Sequence, residues 1–279
     1  MPRSIHPREH AGTAVEITQG LDTAFSHLTI GQPAVILVLE GSKTLRWTEG
    51  SLEIQAGEAV AIAAGSALDI SNHPSASGQY RAQWVVFDTT LCEAFPATDP
   101  TLQEIRPCLS LSRFDASPRE SFDRALTALR DESLPISVIQ CRLQELLAWI
   151  AHRGARFATA GHATLTMRLR KLLAPRLSHA WTAPEAAREL SLSEASLRRI
   201  LAREGNSFSG LLRDARLEFA LTLVQASELP IETIAMEVGY DSASRFSGRF
   251  RERFGVTPSQ LRGHARAIER NGAEVDRIG

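Results

Sequence analysis

The stretch from Trp181 to Arg262 constrains the fold of this 279-residue chain most strongly, because one local pattern occurs in it twice. Each copy is a short amphipathic helix, a tight turn and a second helix that begins at a serine, which is the outline of a helix-turn-helix. The matching positions are Ala187, Leu190, Ser191, Ser193, Leu197 and Leu201 in the first copy, and Ala235, Val238, Gly239, Ser242, Phe246 and Phe250 in the second. One copy would fit a plain helical bundle equally well, but two copies in this order favour a repeated DNA-reading unit.

Turn and cap residues in this stretch support the same interpretation. Thr182 and Glu185 have the spacing of a capping box. Ser193 and Ser242 are predicted to cap the second helix of each copy. Gly239 permits a turn with positive φ, whereas Ser191 takes its place in the first copy, so we expect the first turn to be slightly more costly.

A single long helix is predicted between the two copies. Apolar residues recur at helical spacing from Ser207 to Gln225, and such a helix would hold the two units at a fixed distance. Gly205 and Gly255 are expected to end the second helix of each copy.

This part of the chain resembles the DNA-binding domain of the AraC/XylS family of bacterial transcription regulators. The resemblance spans Leu165 to Ala265 and rests on Arg216-Leu217, Ala220, Leu223, "LPIETIAMEVGY", Phe246, Phe250, "RFGVTP" and Arg262. It implies a DNA-binding domain over 165–266, followed by a C-terminal tail over 267–279. It further implies a transcription regulator, commonly an activator that contacts RNA polymerase, which binds two successive major-groove segments of double-stranded promoter DNA.

Side chains that are not needed for the core of each second helix are the candidates to read bases. Leu197 and Leu201 are expected to point inward in the first helix, and Phe246 and Phe250 in the second. The family's base-reading positions fall, by motif alignment, on Ala195, Arg198, Arg199, Ser244, Arg245, Ser247 and Gly248. Gly248 departs from the basic or polar residue common in the family, so we expect Arg245 and Arg249 to grip the DNA from either side of it. The alternative is that Arg249, Arg251 and Arg253 form a solvated basic face.

The first hundred residues predict β-structure, because short apolar runs alternate with glycine-containing turns. Val35 to Leu39 is predicted as a strand, "GSK" as a turn, and Thr44 to Trp47 as the return strand. The run around Gly57 to Gly65 resembles the cupin-like barrel of many family members. The expected fold class is therefore α+β, with a cupin-like β-barrel domain over 1–152 and an all-α C-terminal domain that contains two helix-turn-helix motifs joined by a long helix.

No chemistry beyond ligand binding is expected of the barrel. Metal-binding cupins carry a His-x-His motif, and "TLRWTEG" has no histidine at the equivalent strand, so we expect no metal, no cofactor and no enzymatic activity. A closed barrel can still hold a small effector. Arg46, Trp47, Arg81 and Trp84 are candidates to line its pocket, the alternative being that both tryptophans pack in the core while both arginines are solvated.

Two helices are predicted after the barrel, over Pro118 to Glu132 and Ser137 to His152. The second helix carries an apolar stripe of Ile139, Leu143, Leu146 and Ile150. This stripe either covers the barrel or, as the family resemblance implies, forms a homodimer seam. "RGARFATAGHAT", residues 153–164, has no periodicity and is predicted as the interdomain linker.

Charge and composition agree with a cytoplasmic DNA-binding protein. Residues 163–279 carry 18 basic and 14 acidic side chains, a net charge of +4, and the remainder carries 13 and 18, a net charge of −5. We find no apolar run long enough to cross a membrane and no signal-peptide pattern. Cys92, Cys108 and Cys141 are expected to be free thiols.

Two rival functions are weighed against a ligand-responsive regulator. One is a ligand-independent DNA-binding regulator whose barrel binds a protein partner. The other is a DNA-alkylation repair methyltransferase, which would need a clustered cysteine site before the DNA-binding domain, and the sequence has none.

Overall fold

The computed structural model describes residues 4–95, 99, 101–111, 116–158 and 164–262. The chain divides into two compact units. The first comprises Met1–Thr159 with Gln225–Ser227 and Leu261–Gly279, and the second comprises Ala160–Val224 and Glu228–Gln260. The first is rich in β-sheet and the second is helical, so the predicted α+β division is confirmed.

Unit 1 contains twelve strands and three helices among its described residues. The strands are β1 (Ser4–Arg8), β2 (Gly12–Gln19), β3 (Thr23–Thr29), β4 (Ala34–Glu40), β5 (Ser42–Trp47), β6 (Gly50–Gln55), β7 (Ala59–Ile62), β8 (Ala67–His73), β9 (Tyr80–Phe87), β10 (Gln103–Glu104), β11 (Cys108–Leu111) and β12 (Ala155–Arg156). The helices are α1 (Thr89–Ala94), α2 (Ala116–Arg130) and α3 (Ile136–His152). One antiparallel sheet has the order β1-β2-β9-β4-β7-β11, and a second has the order β3-β8-β5-β6.

Both faces of the six-stranded sheet are buried. Alternate residues such as Val35, Val85 and Phe87 share one core with side chains of α2 and α3. The residues between them, such as Ile36 and Tyr80, point the other way and are also buried, on the side that meets the four-stranded sheet. Because successive side chains of a strand point to opposite faces, a strand buried on both sides reads as a continuous apolar run, as "AVILV" does in β4.

The strands β4 and β5 are not a hairpin, so the predicted return strand is wrong in its pairing. β4 pairs with β7 and β9 in the larger sheet, whereas β5 pairs with β6 and β8 in the smaller one. The register of β4 shifts between Val38 and Glu40, and Gly41 follows with a φ of 77°. A bulge and a glycine at a strand end turn the chain out of one sheet and into the other.

The apolar stripe of α3 belongs to the core of unit 1. Ile139, Leu143 and Leu146 are completely buried, and Ile150 is nearly so, in the cluster that α2 and the larger sheet complete. The expectation of a dimer seam formed by these four residues is therefore wrong, because their own chain already covers them. Of the two interpretations left open, the structure supports the barrel cover.

The predicted linker overlaps unit 1 at its first residues. Ala155–Arg156 forms β12, which pairs in parallel with Gln103–Glu104, and Phe157 is buried. Residues 159–163 and the predicted tail over 267–279 lie outside the described residues. The domain boundaries themselves stay predictions.

Unit 2 consists of helices and the turns between them, with no strand among its described residues. Its helices are α4 (Leu165–Leu173), a short 3-10 helix (Ala174–Arg176), α5 (Ala183–Glu189), α6 (Glu194–Arg203), α7 (Phe208–Ala226), α8 (Ile231–Glu237) and α9 (Ala243–Phe254). α5 with α6, and α8 with α9, are the two predicted helix pairs, and α7 is the predicted long helix between them. Residues 258–262, of which the last two are grouped with unit 1, are also helical.

Candidate DNA-binding surface

The predicted caps of the helix-turn-helix motifs are present. The side chain of Thr182 accepts a hydrogen bond from the backbone N–H of Glu185, and Glu185 accepts one in return from the backbone of Thr182. Ser193 and Ser242 accept hydrogen bonds from the third residue beyond them, at the starts of α6 and α9. Each cap satisfies a backbone donor that the helix leaves unpaired and so fixes where a recognition helix begins.

The two tight turns have the same left-handed backbone but differ in residue type. Gly239 has a φ of 79° and Ser191 a φ of 57°, so the first turn carries a conformation that costs a non-glycine residue energy. At Gly239 there is no room for a side chain. A Cβ there would lie 2.8 Å from the Cζ of Arg216 and 2.9 Å from the carbonyl oxygen of Leu177.

Arg216 explains that close approach. Its Nε donates to the carbonyl oxygen of Leu177 at 2.9 Å, and its Nη2 donates to the carbonyl oxygen of His179 at 2.8 Å. The guanidinium therefore ties the long helix α7 to the segment that precedes α5, directly beside the turn of the second motif. The sequence marks Arg216 only as part of the family resemblance, because its partners are distant backbone carbonyls.

α6 presents a basic, small-residue face to solvent. Leu197 and Leu201 are fully buried, whereas Ala195, Arg198 and Arg199 are exposed. Arg198 forms an ion pair with Glu194 one turn earlier, at 2.5 Å. Arg199 has no hydrogen bond or ion pair to any other described residue, so its five donors are available to a partner outside the chain.

α9 presents a similar face around its buried phenylalanines. Phe246 and Phe250 are fully buried, while Ser244, Arg245, Gly248 and Arg249 are exposed and Ser247 is half-buried. Arg249 is engaged by Glu252 at 2.7 Å. A Cβ at Gly248 would lie within 4 Å of no other atom, so packing does not require a glycine at this position. The absence of a side chain exposes the helix backbone between Arg245 and Arg249.

Arg253 does not belong to a solvated basic face. Only 19% of its side chain is exposed, and its guanidinium lies 4.0 Å from Glu218 of α7 and over the ring of Phe254. Glu218 also accepts a hydrogen bond from Arg170 of α4 at 2.6 Å. These contacts connect the helices α4, α7 and α9 and were not predicted from the sequence, since the two pairs join residues 48 and 35 positions apart.

The four candidate effector residues are not brought together. Arg46 is exposed on the outward side of β5. Arg81 points toward the helices and pairs with Glu16, which also binds Arg130 of α2. Trp84, in contrast, turns to the side between the two sheets, where its ring lies near Lys43. Trp47 is half-buried at the end of β5, against Gly50.

The described residues contain neither a helix long and apolar enough to span a membrane nor a group of three or more His, Cys, Asp or Glu side chains placed to hold a metal ion. What unit 2 does contain is two capped helix-turn-helix motifs, each with an exposed basic recognition helix, joined by one helix. That arrangement defines the class as a DNA-binding domain with a double helix-turn-helix.

Comparison with known families finds a match in each half of the chain. Residues 186–264 match a family model described as a helix-turn-helix domain, and residues 33–159 match one described as the ExsA N-terminal regulatory domain. The regulator GadX of Escherichia coli O6:H1 is 34% identical over 103 residues, which is 37% of this chain and 35% of GadX. YdeO of the same organism is 31% identical over 118 residues, 42% of this chain and 46% of YdeO.

A third relative is the transcriptional activator FapR of Escherichia coli, 36% identical over 98 residues, 35% of this chain and 38% of FapR. The alignments thus span between a third and a half of the length of these curated relatives. Among solved structures, ToxT of Vibrio cholerae has the same fold, with a TM-score of 0.66 at 15% identity, over 91% of this chain and 98% of ToxT. The chain thus combines a helix-turn-helix domain of the AraC type with an ExsA-type N-terminal regulatory domain, and the curated relatives that it matches are transcription regulators of the AraC family.

Proposed function

We propose that this protein is a one-component transcription activator whose unit 2 binds two successive major-groove segments of promoter DNA. The observation that carries the proposal is the pair of exposed recognition helices, α6 and α9, on either side of one continuous helix. With 19 residues and a rise of about 1.5 Å per residue, α7 is roughly 28 Å long. That length is comparable to the roughly 34 Å that separates equivalent major-groove positions one turn apart.

Base reading is assigned to the free positions of these helices. Arg199, with no partner of its own among the described residues, is suited to a bidentate contact with guanine. Ala195, Ser244 and Ser247 are small enough to let the helix backbone approach the bases. Arg198, Arg245 and Arg249 supply further contacts, and Arg198 and Arg249 must first exchange their carboxylate partners for DNA.

Unit 1 is assigned to regulation. Residues 33–159 resemble a regulatory domain, and a ToxT structure with the same overall fold contains a bound unsaturated fatty acid. We infer that unit 1 of this chain responds to a small-molecule effector and that the active form is a cytoplasmic homodimer which recruits RNA polymerase. The chain acts in this scheme by binding and not by catalysis. The subunit interface must use surfaces other than the buried stripe of α3.

Genomic footprinting with the purified full-length protein tests the proposal. We expect protection of sites upstream of genes, each with two contacted segments about one helical turn apart, and transcription from those promoters that rises with the protein in vitro. A chain with the double substitution Arg199→Ala and Arg245→Ala serves as the matched control and should lose these footprints. Protection that is uniform along all DNA would contradict the proposal.

A further inference from the structure

Lys43 lies in the interior between the two sheets of unit 1, where a charged side chain is costly. Only 1% of it is exposed, and burial lowers the pKa of this lysine to about 7. Its Nζ donates to the Oδ1 of Asn72 at 2.5 Å, and no carboxylate among the described residues pairs with it. An ammonium group has three N–H donors, so two of them are not matched by an acceptor of the described chain.

Two further donors beside Lys43 are also unmatched. The ammonium group lies 5.4 Å from the ring centre of Tyr80 and 5.7 Å from that of Trp84. The hydroxyl of Tyr80 and the indole N–H of Trp84 are buried and have no hydrogen-bond partner among the described residues. Burial raises the pKa of Tyr80, so its hydroxyl keeps its proton and remains a donor. Buried polar groups in folded proteins are normally satisfied, so two donors without a partner, on rings that both lie beside a lysine with a single acceptor, call for a missing acceptor.

The residue type at position 43 adds a second argument. Only two of the 31 basic residues in this chain are lysines, Lys43 and Lys171. An arginine cannot shed its proton in an apolar interior, whereas a lysine can stay neutral there and become charged when an anion arrives. The choice of lysine at this place in an arginine-rich chain therefore fits a site that is alternately empty and filled.

We propose that the interior of unit 1 binds a monoanionic carboxylic acid with an apolar body, whose carboxylate is held by Lys43, Tyr80 and Trp84. One ammonium group neutralises one negative charge, which favours a carboxylate over a doubly charged phosphate. The neighbouring interior side chains Ile17, Leu45 and Ile54 are apolar and fully buried, so the rest of the ligand must be apolar as well. The inference rests on the proposed effector-sensing role of unit 1 and names the chemical class of the effector.

Having only two lysines makes the proposal directly measurable. In the full-length protein labelled with 13C at lysine Cε, only Lys43 and Lys171 contribute side-chain signals. The probes are decanoate and 4-phenylbutyrate, with 1-decanol as the uncharged control. We expect both carboxylates to shift the Lys43 signal and to raise the pKa of Lys43, because a nearby negative charge favours the ammonium form. The Lys171 signal should not move, and decanol should change neither signal.

Two substitutions separate a ligand-binding role from a structural one. Lys43→Met replaces a buried amine, which is costly to bury whether neutral or charged, with an apolar side chain of similar length, so without probe the melting temperature should stay equal or rise, while carboxylate affinity falls by roughly tenfold or more. Tyr80→Phe deletes only the hydroxyl and should weaken carboxylate binding several-fold without lowering stability. Lys171→Met is the matched control and should bind as the unsubstituted protein does.

The proposal is overturned if neither carboxylate moves the Lys43 signal at millimolar concentration, or if Lys43→Met and Tyr80→Phe bind the probes as tightly as the unsubstituted protein. DNA binding by the same preparations is measured separately. If the protein binds DNA but the probes do not shift the Lys43 signal, the carboxylate site is rejected and the proposed function is not. If the probes shift the Lys43 signal but the protein binds no DNA, the proposed function is rejected and the carboxylate site is supported.

Discussion

Arg198 and Arg199 are neighbours of the same chemistry on the exposed side of α6, and they differ in what else they contact. Arg198 is held by Glu194, while Arg199 has no partner among the described residues. An arginine that is already paired must break one charge-assisted interaction before it forms another, and one that is unpaired need not. At the scale of single residues, selectivity for guanine is therefore expected to reside more in Arg199 than in Arg198.

Replacing Arg199 by alanine should weaken binding to the specific site by about 1–3 kcal/mol and relax the preference at one base pair. Arg203, exposed one turn further along the same helix, is the control. Arg203→Ala should weaken specific and scrambled DNA alike and lower the salt slope by about one. Binding of both variants to both DNAs across a salt series makes the measurement. An equal loss on both DNAs for Arg199→Ala would mean that Arg199 contacts phosphate.

At the scale of elements, the turns of the two motifs show that different residues can adopt the same backbone conformation at different energetic cost. Ser191 adopts the left-handed region at an energetic cost and Gly239 without one. The surroundings differ as well, because Arg216 and the carbonyl oxygen of Leu177 fill the space where a side chain at position 239 would start. Glycine should therefore be the more stable residue at both turns, and its loss should cost more at position 239, where there is no room for a side chain.

Ser191→Gly should raise the free energy of unfolding of unit 2 by up to about 1 kcal/mol, because the left-handed conformation becomes cheap. Gly239→Ala should lower it by more than that, since the new methyl group collides with the guanidinium of Arg216 and a backbone carbonyl. Urea denaturation of both variants measures the difference. A neutral Gly239→Ala would show that Arg216 can leave its two carbonyl partners without loss.

The apolar stripe of α3 is a second case at this scale, since its four residues are sealed in the core of unit 1. Leu143→Arg should destabilise unit 1 severely, by several kcal/mol, because it buries a charge with no partner and removes a packed side chain. Ala148→Arg, at an exposed position on the same helix, is the control and should have little effect. Thermal unfolding and size-exclusion chromatography check both. If the Leu143→Arg protein is instead folded and monomeric, the apolar stripe of α3 would be a subunit interface and not part of the core.

For the whole molecule, the division into two units predicts that they can be separated. Unit 2 has its own buried core, which includes Leu169, Leu197 and Leu201. The structure also places β12 in unit 1, so a cut must follow Ala158 if it is to spare that strand.

A fragment that starts at Thr164 should fold alone and bind the promoter site, though more weakly than the full chain, because it lacks the pairing of subunits that unit 1 is proposed to supply. Circular dichroism and DNA binding of the fragment test this. A second fragment that starts at Gly154 serves as the comparison and should bind no better, since residues 154–158 belong to unit 1. An unfolded Thr164 fragment would contradict the division.

Local interactions explain what the sequence alone determined about this protein. The caps at Thr182, Ser193 and Ser242, the positive φ at Gly239 and the apolar period of α7 depend on residues within about four positions of one another, so they can be read directly from the chain. The double helix-turn-helix, the exposed positions of α6 and α9 and the family resemblance all follow from such short-range patterns.

Contacts between distant residues decided the rest. β4 and β5 are consecutive yet lie in different sheets, because strand partners are set by tertiary packing and not by the turn between them. The stripe of α3 could cover its own barrel or a second subunit, and only the fold places it against the larger sheet. Arg253 lies near Glu218, and Lys43 lies near the rings of Tyr80 and Trp84. These residues are far apart in the sequence, so no local pattern predicts the contacts. Burial and pairing of charged side chains depend on these long-range neighbours, so the tertiary structure alone decided which basic residues are exposed on the recognition helices, which pair with carboxylates and which lie in the interior.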